Sequence, residues 1–146
     1  MNEEDMAFLI IKHEAVQRGL IGEILGRIEK KGLKIIALKM FEMKKEQVMC
    51  LYDNCTELPF FEELLEYNSD CPVIGIVVSG PAANKGANEV CGVIGLGGTV
   101  RGDYALSNSR NVLHCSDEGK TQREIDLFFG NEEIFNYSNT WEGWLK

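Results

Sequence analysis

The stretch "PVIGIVVSG", residues 72–80, restricts the fold most. It is a continuous apolar run bounded by Pro72 and Gly80. A strand with one wet face alternates apolar and polar residues; an unbroken run reads instead as a central strand covered on both faces. Such a sheet needs helices against it, and the chain supplies candidates on both sides of the run.

Before it, "AFLIIK" (7–12) is a run of strand length. The segment 16–32 reads as one helix, because Val16, Leu20, Ile24 and Ile28 make an apolar stripe beside Ile21 and Leu25. Residues 33–43 mix apolar and basic residues like a strand. Two shorter helices are expected at 45–55 and 59–69, with Pro59 in a first turn. After the central run come a glycine-weakened helix at 83–95, a loop at 96–109 and a short strand in "NVLHCSD". A helix at 121–130 follows, where Thr121 and Glu124 fit a capping box. The tail carries Trp141 and Trp144, expected to dock on the body or on a neighbouring subunit. Strands interleaved in this order with helices suit an α+β sandwich of the ferredoxin-like type, a βαββαβ unit whose four-stranded antiparallel sheet carries packed helices. A flavodoxin-like sheet fits the same pattern.

Length and charge narrow the function. A chain of 146 residues is expected to form a single domain spanning 1–146. Its net charge of -8 opposes nonspecific attraction to nucleic acid or an anionic membrane. No apolar run approaches the length of a membrane span, and the N-terminus lacks the basic flank of a secretory signal. Five cysteines, with no CxxC pair, fit reduced thiols and a cytoplasmic protein better than a disulfide or zinc framework.

The chain has only two histidines. His114 sits in "RNVLHCSDEG", and His13 lies between Lys12 and Glu14. Two histidines so far apart make no metal site, so no metal-ligating set is assigned. The glycine-rich "GVIGLGG" (92–98) lacks both the Walker lysine and the GxGxxG spacing and reads as a connection. Taken singly, Lys12 reads as a solvated strand end, Arg101 as a loop residue and Glu124 as half of a cap. Taken singly, His114 reads as a hydrogen-bonded structural residue.

In order, the chain contains "IIKHEAVQRGLIGEILGRIEKKGLKIIALKM", "ELPFFEELLEY", "TVRGDY", "SRNVLHCSDE", "EIDLFF" and the final Trp144. Together these resemble the nucleoside diphosphate kinase family, from about residue 7 to the last residues. The most specific part is NxxHxSD, here Asn111, His114, Ser116 and Asp117. The resemblance implies transfer of the γ-phosphoryl of a nucleoside triphosphate to His114 and then to a nucleoside diphosphate. Imidazole suits the task, since its ordinary pKa of about 6.5 leaves a free lone pair near neutral pH. By the same resemblance Glu124 orients the ring and Ser116 supports it, leaving Ser116 or Asp117 to cap the helix. Lys12, Tyr52 and Arg101 meet the phosphates, where fixed donors stabilise charge in flight. Asn111 contacts the sugar 3'-hydroxyl, and Phe60 stacks on the base with Leu64 nearby. Mg²⁺ rides on the nucleotide phosphates, with Asp117 as an outer contact. The implied partners are nucleoside triphosphates and diphosphates, with no specific nucleic acid and no membrane. The implied assembly is a homo-hexamer, with a dimer or tetramer as the smaller alternative.

The resemblance breaks in places. Asn88 stands where the family has an arginine, and the loop across 92–100 is about four residues short and lacks the family's phosphate-touching threonine. "KHEA" (12–15) replaces "KPDG", and Asn108 replaces a valine on the second wall of the base slot. Each lost charge-assisted or hydroxyl contact is worth roughly 1.5–3 kcal/mol, so affinity is expected to fall on the order of 10²-fold or more. The alternative is a family member that binds a nucleotide or a partner protein with weakened or lost catalysis.

Overall fold

The computed structural model describes residues 2–140 and Trp144. Four strands, β1 (Met6–Ile11), β2 (Lys34–Glu42), β3 (Pro72–Ser79) and β4 (Leu113–Cys115), form one sheet in the order β2-β3-β1-β4. Every pairing is antiparallel. This is the ferredoxin-like arrangement; a flavodoxin-like sheet is parallel and is excluded.

The apolar run became an inner strand, as its composition requires. β1 and β3 bury nearly every residue. Successive side chains point to opposite faces, so each strand feeds two cores. Leu9, Ile11, Ile74, Ile76 and Val78 pack with Ile24 and Ile28 on one side. Phe8, Ile10, Val73 and Val77 pack with Phe61, Leu65, Ile125 and Phe128 on the other. Gly75 stands where an added Cβ would meet Phe41 at 2.7 Å, which lets that aromatic ring lie against the strand.

The helices are α1 (His13–Gln17), α2 (Ile21–Lys30), α3 (Lys45–Leu51), α4 (Phe61–Asn68), α5 (Ala83–Cys91), α6 (Val100–Tyr104) and α7 (Thr121–Phe128). The expected single helix at 16–32 is in fact two. Gly19 adopts φ 72°, a left-handed conformation that stops α1 before α2 begins. The apolar stripe survives the break, since Ile24 and Ile28 are fully buried and Val16 and Leu20 pack against the same core. The expected loop at 96–109 holds α6, whose N-cap Thr99 accepts a hydrogen bond from the Gly102 amide. The helix expected at 45–55 ends at Leu51 and continues as a 3₁₀ turn, Asp53–Cys55. α4 starts after Pro59, which lies in the preceding turn rather than in the helix. The tail docks on the body through its first part, where the Phe135 amide donates to the Ile36 carbonyl at 2.8 Å and Ile134 packs on the second core. Trp144 does not share in this, being 83% exposed, and Trp141 lies outside the described residues.

Candidate active site

His114 is the middle residue of β4, an edge strand of three residues, and pairs with Ile10 of β1. Leu113 and Cys115 turn into the first core, so alternation turns His114 to the opposite face. There its ring meets Phe8 edge-on at 6.3 Å and Tyr52 at 6.3 Å. Nε2 lies 2.6 Å from Glu124 Oε1. Glu124 is buried on α7, and the histidine side chain keeps 16% exposure. Nδ1 has no hydrogen-bond partner among the described residues. A carboxylate accepting from Nε2–H fixes the tautomer and leaves the Nδ1 lone pair free.

This use of Glu124 displaces the expected capping box. Thr121 is the first residue of α7 rather than its cap, and the N-cap Lys120 makes no side-chain cap bond. Neither Ser116 nor Asp117 supplies one; only the Asp117 carbonyl accepts from the Lys120 amide. Ser116, expected beside Glu124, acts elsewhere. Its fully buried hydroxyl accepts from the Phe8 amide at 3.0 Å and shares a hydrogen bond with Thr121 Oγ1 at 2.9 Å. It therefore pins the start of α7 to β1, and reaches Glu124 only through that helix.

Lys12 follows β1, and its amide donates to the Val112 carbonyl at 2.9 Å. Burial lowers its pKa to about 8; the Glu14 charge opposes that shift and the Arg101 charge adds to it. Arg101, on α6, donates Nε and Nη2 to the Leu113 carbonyl at 3.1 and 2.9 Å, and Nη1 to the Gly92 carbonyl at 3.5 Å. Three of its five N–H groups are so engaged, and two remain. Neither side chain bonds the His114 ring; the Lys12 main-chain amide and the Arg101 guanidinium bond carbonyls just before it. Tyr52 follows α3, and burial pushes its phenol well above the usual range, with the Glu14 charge adding to the shift. It is a hydrogen-bond donor at any ordinary pH.

Away from the histidine, a cleft of about 570 Å³ opens between α4 and residues 107–110. Phe60, Leu64, Glu63 and Tyr67 line one wall, and Asn108 and Arg110 line the other. Phe60 is half exposed at the mouth. Asn111 donates to the Asn108 carbonyl at 3.1 Å, while its Oδ1 is buried with no partner. Such an acceptor has its hydrogen-bonding capacity unused within the chain.

Asn88 does not replace the arginine. Its amide donates to the Asn84 carbonyl at 2.8 Å and to the Ser116 carbonyl at 3.3 Å. Asn84 also donates to the Ser116 carbonyl, at 3.0 Å, and to Thr121 Oγ1 at 3.1 Å. The two asparagines thus clamp the turn between His114 and Glu124. Thr99 is no substitute for the missing threonine, because its hydroxyl caps α6 and bonds the Leu96 carbonyl. Sequence reasoning missed Asn84, Glu14 and Tyr67; Thr121 was noted only as a cap. No motif marked the first three. No cluster of three or more His, Cys, Asp or Glu side chains suited to a metal occurs among the described residues.

A ferredoxin-like sheet with a carboxylate-held histidine on its edge strand, and an open cleft against α4, fits a nucleotide-handling phosphotransferase. Residues 5–134 match the model of the nucleoside diphosphate kinase family. The nucleoside diphosphate kinase of Archaeoglobus fulgidus is 40% identical, over 97% of both chains. That of Pyrococcus abyssi is 42% identical, over 99% of this chain and 95% of its own. Among solved structures, a family protein from Babesia bovis superposes with a TM-score of 0.92 at 33% identity, covering 97% of this chain and 99% of its own. The halophilic enzyme of Halobacterium salinarum, solved in complex with CDP, also gives 0.92 at 33% identity, over 97% of both chains. The chain belongs to the nucleoside diphosphate kinase family.

Proposed function

We propose that this kinase works by a ping-pong route through a phosphohistidine at His114. The observation that carries the reading is the 2.6 Å contact between Nε2 and Glu124, with Nδ1 left unpartnered. Nδ1 attacks the γ-phosphorus of a nucleoside triphosphate. An N–P bond forms, the P–O bond to the β-phosphate breaks, and that oxygen leaves with the electron pair as the nucleoside diphosphate. In the return step a terminal oxygen of a second nucleoside diphosphate attacks the phosphorus and frees Nδ1. Glu124 stabilises the positive charge that the ring gains in each transfer.

Lys12, Tyr52 and the unused N–H groups of Arg101 are the donors for the phosphate chain. Asn111 Oδ1 accepts from the sugar 3'-hydroxyl, and the base stacks on Phe60 beside Leu64. Ser116 keeps the turn between the nucleophile and Glu124 in place. Mg²⁺ would enter as part of the substrate, on the phosphates and water, with Asp117 as an outer contact. A role confined to binding is not favoured: a scaffold needs neither an oriented ring nor a buried carboxylate behind it.

Incubation with γ-labelled ATP and Mg²⁺ is expected to label the protein, and unlabelled diphosphate to remove the label. His114→Ala should lower turnover on the order of 10⁴-fold or more and accept no label. Wild-type protein that stays unlabelled at millimolar ATP would refute the reading. We further assign the enzyme to the cytoplasm, on its odd count of unpaired cysteines. We assign it a homo-oligomeric assembly, a hexamer by the family resemblance with a dimer or tetramer as the smaller alternative; the exposed Trp144 and the exposed Leu38 and Met40 of the edge strand β2 support association. A light-scattering mass near 16.4 kDa, that of one chain, would defeat any assembly.

A further inference from the structure

Two residues before His114 the backbone does something unusual. Val112 adopts φ 66°, in the left-handed region, although it is β-branched and fully buried. The Leu113 amide donates to the Asn111 carbonyl at 2.8 Å, so residues 111–113 close a γ-turn around it. A γ-turn with a positive central φ is rare and strained, and a valine there is an outlier that its surroundings must hold.

Those surroundings are residues 12 and 14. The Val112 carbonyl accepts from the Lys12 amide at 2.9 Å, and the Val112 amide donates to Glu14 Oε1 at 2.9 Å. Glu14 is only 7% exposed, and its other oxygen accepts from the Tyr67 hydroxyl at 3.0 Å. Tyr67 is itself fixed, with the His13 ring edge-on at 4.3 Å and the Arg110 guanidinium 4.5 Å above its face. Arg110 and Tyr67 also line the cleft. Glu14 therefore joins the strained turn to the cleft wall. The turn places Asn111 on one side and His114 on the other.

We propose that Glu14 is a positioning residue for phosphoryl transfer, its carboxylate holding Val112 in the strained turn and thereby setting the placement of His114 and Asn111. This rests on His114 being the phosphoryl carrier. Without the carboxylate, the Val112 amide and the Tyr67 hydroxyl lose their acceptor, and valine relaxes toward negative φ. Shifts of about 1 Å at a reacting centre cost on the order of 10²-fold in rate.

The test uses the full chain, with kcat, KM and melting temperature measured together. Glu14→Ala is expected to lower kcat about 10- to 100-fold, with a smaller change in KM. Glu14→Gln keeps an acceptor for the amide and should lose no more than about threefold. The decisive variant is Glu14→Ala with Val112→Gly. Glycine takes positive φ without strain, so this double variant should regain roughly tenfold in kcat over Glu14→Ala. It should melt lower still, because a buried valine side chain is gone. A merely structural Glu14 would instead make activity follow melting temperature downward. A Glu14→Ala enzyme with wild-type kcat, or a double variant slower than Glu14→Ala, overturns the proposal. So does a wild-type Val112 amide that exchanges with solvent as fast as exposed loop amides, a measurement that needs no variant to fold. Unlabelled wild-type protein sinks the carrier reading itself; a labelled wild type with a fully active Glu14→Ala sinks only the role of Glu14.

Discussion

Around His114 the polar groups are held by partners on the chain itself: Glu124 on the ring, Phe8 and Thr121 on Ser116, Asn84 and Asn88 on the Ser116 carbonyl. At the other end of the site, the stretch after α5 presents Val93, Ile94 and Leu96 to solvent, and its neighbouring hydroxyl, Thr99, is occupied in a cap. The first region holds the imidazole in one orientation, as the proposed nucleophile requires. The second contributes no charged side chain beyond Arg101, itself anchored to two carbonyls. The contrast separates two demands that one active site usually meets together: orienting the attacking atom, and gripping the group it attacks. In this chain the first is fully built and the second is thin.

The contrast breaks most sharply at Glu124. Glu124→Ala leaves Nε2 without its acceptor and the ring free to take the wrong tautomer. The expected outcome is a fall in kcat of about 10²- to 10⁴-fold, read by steady-state and single-turnover kinetics. An effect below about threefold would mean that the ring is oriented by something else. Asn88→Arg tests the thin end. If the phosphate grip limits binding, a guanidinium restored on α5 should lower KM for ATP by about tenfold, with less change in kcat. An unchanged KM would show that Lys12, Tyr52 and Arg101 already suffice.

The smallest effect is one of pH. Burial holds the Lys12 pKa near 8. As the proposed phosphate donor, Lys12 acts in its protonated form, which predominates below about pH 8 and is lost above it. KM for ATP should therefore be flat from about pH 6.5 to 7.5 and rise several-fold by about pH 9.5. Stability from this group runs the opposite way. The unfolded lysine keeps its proton to about pH 10.4, so the penalty for charging it in the fold is full below 8 and fades as pH rises from there. Lys12→Arg, which stays charged, should abolish the alkaline rise in KM.

Much of this architecture was legible in the sequence, because burial leaves a periodic trace. The unbroken run in β3 and the stripe through Ile24 and Ile28 each reported which faces are covered. What escaped was conformation without periodicity. Gly19 breaks a helix in the middle of an intact stripe, and α6 hides in five residues that include Arg101, Gly102 and Asp103. In the site, the structure brings His114 against Glu124 and near Tyr52, while Phe60 and Leu64 line the separate cleft beside α4. Glu14 was invisible as a functional group because its partner, Val112, lies 98 residues away and is a backbone amide. Asn88 was legible as a missing arginine, but its inward turn to Ser116 is a matter of geometry alone.

The order of the sheet also bears on how the chain is made. β1 precedes the other three strands of the sheet in the chain, yet it sits inside the sheet, with β3 on one side and β4 on the other. Its partner Pro72–Ser79 emerges more than sixty residues later. At about 5–20 residues per second, the segment "AFLII" waits several seconds on the ribosome with neither edge paired. The strand that pairs with His114 and bonds Ser116 is thus the one longest at risk of sticking to another chain during synthesis.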